Sequence, residues 1–159
     1  MGWFRKKPYE TVYAERIYKA LVDRKLGDMT PERLRLPKET NRRYREKALL
    51  YREAMSLCAL LERANIDPKL LPVLREYKGV LAAKRVGRGL QANREQLIDA
   101  AVEDLSDMFT DPFKWAHRWL MEFRSDPDDM TGVVLFADHC LRQYEGAKGS
   151  LDKTRPASC

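Results

Sequence analysis

Apolar side chains recur along this chain every three to four residues, the spacing of a helical face, and nowhere alternate with polar ones between hairpin turns. The cleanest stripe is Ile98, Ala101, Val102, Leu105, Met108 and Phe109. A wider one, through Tyr44, Ala48, Leu50, Tyr51, Ala54, Met55, Leu57, Cys58 and Leu61, covers about half a circumference at about 3.6 residues per turn. It leaves Arg45, Arg52, Ser56 and Arg63 on a wet side and marks the central helix. Phe109, Phe113, Ala116, Trp119, Leu120 and Phe123 share an arc with Trp115 at its edge. Met130, Val133, Val134, Ala137, Cys140, Leu141 and Tyr144 form the last face, from which Leu135 and His139 point away.

Helix boundaries are written in cap chemistry. Thr30-Pro31, Asp67-Pro68, Asp111-Pro112 and Asp126-Pro127 each place a capping oxygen before a proline, whose missing N–H costs nothing in a first turn. Gly27, Asn65, Gly87 and Gly146 read as stops. The predicted helices are 9 to 25, 40 to 64, 68 to 86, 93 to 109, 112 to 124 and 130 to 145, with a short turn at 31 to 35. Pro72 inside the third predicts a kink or a later start, because it removes a backbone donor. From Ala147 the composition turns to Gly, Ser, Lys, Asp and Pro, so residues 147–159 are expected to form a disordered tail. The expectation is an all-α, single-domain irregular bundle of about six helices over residues 1–146.

Composition narrows the class further. In 159 residues, 44% are hydrophobic and 34% charged, enough apolar material for a core and too much charge for a membrane-embedded chain. No run approaches the roughly 18 apolar residues of a spanning helix. Cys58 and Cys140 sit among core residues and Cys159 in the tail, an odd set that implies no disulfide framework. With no signal or transit pattern in the first residues, the expected location is cytoplasmic. Trp3 and Phe4 beside Arg5, Lys6 and Lys7 would suit weak peripheral membrane contact, or a terminal plug of the core.

Charge is unevenly spread. Residues 1–94 carry 23 Lys and Arg against 11 Asp and Glu, a net of +12, and residues 95–159 carry 7 against 13, a net of −6. The densest basic stretch runs from Arg33 to Lys47, and Lys84, Arg85, Arg88 and Arg94 follow without an acid among them. Either the halves fold against each other and neutralise, or the basic half attracts an anionic partner. Head-to-tail self-association is a third use of the same polarity. Glu95, Asp99, Glu103 and Asp107 form a line of carboxylates four residues apart, a mildly repulsive arrangement that a basic surface, a basic partner or solvent would relieve.

Catalytic patterns are incomplete. Gly87-Arg88-Gly89-Leu90-Gln91-Ala92 has dinucleotide-site spacing but lacks the preceding strand, leaving at most an interhelical phosphate contact. His139 and Cys140 are neighbours about 100° apart on a helix, badly placed to share a metal or proton, and His117 is remote in sequence. Asp126, Asp128 and Asp129 lack the glycine and final glutamate of a calcium loop. No zinc pair, nucleophile elbow, phosphate loop or helix-turn-helix is complete. Neither catalytic residue, metal nor cofactor is therefore assigned. The reading is a non-catalytic helical interaction protein, such as an adaptor, assembly factor or regulatory subunit, that meets an acidic protein partner through its basic half. Its expected contacts are Arg42, Arg43, Arg45, Arg52, Lys84, Arg85 and Arg88, with Trp115 and Leu135 as interface residues on the acidic half. The alternative is nonspecific nucleic-acid binding by the same basic surface.

Overall fold

The computed structural model describes residues 5–23, 29–86, 94–124, 126 and 128–157, with the side chains of residues 84–86 and 94 outside that description. Among the described residues the chain is all-α. Helix α1 (Tyr9–Tyr18) widens into a π turn (Lys19–Asp23), and a 3-10 turn (Lys38–Thr40) leads into α2 (Asn41–Ile66). A second 3-10 turn (Pro68–Leu70) precedes α3 (Leu71–Val86), followed by α4 (Arg94–Thr110), α5 (Pro112–Leu120) and α6 (Met130–Leu151), which closes in a 3-10 turn (Asp152–Thr154). Helix α2 is the centre, touching α3, α4, α6 and the π turn, while α1 packs on α3 and α5 on α6.

The cap chemistry works largely as the sequence implies. Asp67 accepts from the Lys69 amide at 3.2 Å and Asp111 from the Lys114 amide at 3.1 Å. Pro72 produces the later start rather than a kink: the 3-10 turn absorbs residues 68–70, and Pro72 falls in the first turn of α3. At the last helix the cap is displaced. Asp126 turns on the Asp128 amide at 2.9 Å, and Asp129 caps α6 through the Gly132 amide at 3.3 Å.

Burial corrects the predicted wet side of α2. Ser56 is buried, bonded to the Glu53 carbonyl and to the Tyr77 hydroxyl, and Arg52 is half-buried with Nη1 donating to the Val22 carbonyl at 2.8 Å. The reason is coverage from a distance in sequence: α3 and the π turn after α1 close over that flank. Glu53, on the same stretch, is buried as well.

The end of the chain is the second correction. Residues 147–157 do not form a disordered tail: α6 passes Gly146 and runs to Leu151. Leu151 is 1% exposed and its carbonyl accepts from the Tyr13 hydroxyl at 3.0 Å. Cys140, Tyr144, Ala147 and Leu151 continue one stripe at spacings of four, three and four residues, and a stripe with something to pack against outweighs a helix-breaking composition. Helix α5 instead ends early, at Leu120, and the turn that follows folds Phe123 into the core. Phe113, Met130 and Val134 are exposed rather than buried, while Phe136 is a core residue.

Candidate binding surface at the basic end of the central helix

The segment before α2 forms a tight cap on its start. Leu34 and Leu36 are buried, and the Tyr44 hydroxyl donates to the Met29 carbonyl at 2.7 Å. Between these anchors the chain reverses in a tight turn, with the Leu36 amide bonded to the Pro31 carbonyl at 3.0 Å and the Arg35 amide to the Glu32 carbonyl at 3.1 Å. This bond pair places one residue in the left-handed region, a position that glycine usually fills. Here it is Arg35, at φ 55°.

Because the buried leucines fix the turn, its charged residues face outward. Arg33, Arg35 and Lys38 are exposed, and so are Arg42, Arg43 and Arg45 at the start of α2. No acid occupies the first turn of α2, so these cations stand at the positive end of the helix macrodipole. Arg42 pairs with Glu46 at 3.2 Å and Arg43 lies 5.9 Å from the Phe123 ring centroid. Arg33, Arg35, Lys38 and Arg45 have no ion-pair partner among the described residues. One turn further along, Lys47 is withdrawn from the surface, with its ammonium 4.5 Å from the Trp119 ring centroid and 3.1 Å from Glu122.

The remaining predicted contacts divide. Arg52 does not belong to this surface, because it serves the Val22 carbonyl on another flank of α2. Lys84 and Arg85 close α3, with their side chains outside the described residues, and Arg88 lies outside them altogether, as do Trp3, Phe4 and Cys159. Leu135 is exposed on the outer side of α6. Trp115 is not an interface residue: it is 1% exposed and stacks on Phe136 with centroids 5.8 Å apart. Its indole N–H donates to Asp104 at 3.0 Å, and that internal acceptor lets the ring turn into the core.

Asp104 is the polar residue that sequence reasoning missed. It stands off the carboxylate line and gathers three donors, the Tyr51 hydroxyl at 2.6 Å, the Trp115 indole and the Arg118 guanidinium. Two aromatic polar tips in need of one acceptor were the available signal. Glu95, Asp99, Glu103 and Asp107 are exposed, and Asp107 pairs at 3.1 Å with Arg118 of the neighbouring α5. Among the described residues the carboxylate line stays exposed, while elsewhere Lys47 and Arg63 of the basic half pair with Glu122 and Asp152 of the acidic half.

Cys140 is buried deeply enough that desolvation pushes its thiol far above the ordinary range, which removes its nucleophilic form. Among the described residues no three of His, Cys, Asp and Glu gather as a metal site, and no helix is long and apolar enough to cross a membrane. Comparison with protein-family models, with curated proteins and with solved structures finds no match for the chain.

Proposed function

We propose that this chain is a non-catalytic helical interaction module, an adaptor, assembly factor or regulatory subunit, that engages an acidic protein surface through Arg33, Arg35, Lys38, Arg42, Arg43 and Arg45. The observation that carries the reading is the left-handed Arg35. A glycine there would relieve backbone strain, and a strained residue is kept where its side chain has work to do. The cations beside it repel one another and the helix dipole, a cost that an anionic partner removes. Clustering at one helix end favours a compact acidic patch over a phosphate track. The aromatics nearest that end, Tyr44, Trp119 and Phe123, are buried and offer no stacking platform for bases.

The test is a native mass spectrum of the protein isolated from its host at low salt, alongside an R42E/R43E/R45E variant prepared identically. A stoichiometric protein complex that the variant loses supports the reading. A complex that survives the charge reversal ends it. Bound nucleic acid, released steeply as salt rises, would replace it with the nucleic-acid alternative.

A further inference from the structure

A group of apolar side chains that the core does not absorb lies where α4, α5 and α6 meet. Phe113 continues the buried stripe of Ala116 and Leu120 at helical spacing but is 52% exposed. On α6, exposed Met130 and Val134 and half-buried Leu141 border buried Val133 and Ala137 at the same spacing. Helices α5 and α6 pack on each other, and half-exposed Phe109, at the end of α4, sets its ring centroid 4.6 Å from that of Tyr144, one turn beyond Leu141. The group therefore forms one strip.

The exposed halves of Phe109 and Phe113 amount to one whole ring, about 200 Å². Met130, Val134 and the open part of Leu141 bring the strip to about 400 Å², a size at which an apolar patch on a lone domain marks an interface. Charge decides the partner. The carboxylates beside the strip are neutralised within the same copy, Asp107 by Arg118 at 3.1 Å, Asp138 by Arg142 at 3.0 Å and Glu145 by Lys148 at 3.2 Å. A two-fold contact sets a patch against itself, so it tolerates an apolar, internally neutralised surface and excludes one of a single sign. The basic end of α2 and the exposed Glu95, Asp99 and Glu103 of α4 are of that single-signed kind.

We infer that this strip is the contact face between two copies of the chain, related by a two-fold axis, with Phe113 and Val134 of each copy packed on the other. At the apolar share of about 60% usual for interfaces, 400 Å² of apolar surface corresponds to about 700 Å² from each copy, slightly under the ~800 Å² of a standard contact. The pair is accordingly weak, with a dissociation constant of about 10 μM. The face is separate from the basic end and does not rest on the function proposed for it.

Sedimentation velocity of the full chain, from about 1 to 300 μM, brackets that constant from both sides. A monomer–dimer equilibrium is expected, and because apolar burial drives it, raising sodium chloride to about 1 M should leave it unchanged or tighter. Phe113→Asp and Val134→Glu should each weaken the dimer at least about tenfold with far-ultraviolet circular dichroism unchanged, since both positions are exposed and an acid at 113 suits the first turn of α5. A monomer at every concentration overturns the inference, as does a dimer that either variant keeps at wild-type strength. Association that salt dissolves, or that the R42E/R43E/R45E variant abolishes, overturns it too, because that would be pairing of the basic and acidic ends.

Discussion

Replacing Asp104 with alanine tests the claim that this carboxylate, rather than the acidic line beside it, holds α4 to the aromatic core. The substitution leaves the Trp115 indole N–H and the Tyr51 hydroxyl without their acceptor. A buried donor stripped of its partner costs about 1 to 3 kcal/mol. Trp115 is buried and incurs the larger share, while half-buried Tyr51 finds some solvent and falls at the low end. Arg118 is mostly exposed and keeps Asp107, so it adds at most about 1 kcal/mol. The sum is about 3 kcal/mol, a large part of the roughly 5 to 15 kcal/mol that holds an ordinary domain together. Urea unfolding followed by circular dichroism would show this as a midpoint lowered by about 1 to 3 M. Arg118→Ala is the control, expected to move the midpoint little. In the Asp104→Ala background, Tyr51→Phe should cost less than it does in the wild type, since the hydroxyl it removes has already lost its partner. Burial first, and then the Asp104 bond, push the Tyr51 phenol well above its ordinary pKa, so spectrophotometric titration should bring it down in Asp104→Ala. An Asp104→Ala midpoint no lower than that of Arg118→Ala would refute the reasoning.

Three other outcomes follow from the same structure. Arg35→Gly should stabilise the protein by about 1 kcal/mol, a rise of about 2 to 4 °C in the thermal midpoint, while weakening capture of an acidic partner; a lower midpoint would contradict the strain at that turn. Leu151→Ala should cost about 2 to 5 kcal/mol in urea unfolding because it opens a cavity under α6, whereas a residue in a loose tail would cost nothing. Burial, with the Glu62 charge second, pushes the Cys58 thiol up to about 11, above the ~8.5 of an unfolded thiol. Folding thus favours the protonated thiol, and its share of stability is complete below about pH 8.5 and declines as the pH rises toward 11. Alkylation with peptide mapping at pH 8 should leave Cys58 and Cys140 unmodified in the native protein and label both in guanidinium.

Much of the fold was legible because helices are local. Cap residues such as Asp67 and Asp111 act on amides two or three positions away, so the sequence carries both the signal and its consequence. Periodicity located α2 and α4 for the same reason. The basic end was legible in Arg42, Arg43 and Arg45, three exposed cations within four residues. What failed depended on partners far along the chain. Arg52 and Ser56 looked wet because nothing in α2 announces that α3 and the π turn cover them. Trp115 looked like an edge residue because its acceptor, Asp104, lies eleven positions away on another helix. Leu151 looked loose because its support comes from Tyr13 at the other end of the chain.

By itself, then, the sequence determined that the chain is helical, where most helices begin, which end of α2 is positively charged, and that the carboxylates of α4 form a line. Tertiary structure decided which flanks are covered, and therefore that Trp115 belongs to the core, that α6 runs on to Leu151, and that Phe113 and Val134 stay on the surface. The physical reason is range: hydrogen bonds and side-chain spacing within a helix act over a few residues, whereas burial depends on which segments the folded chain brings together.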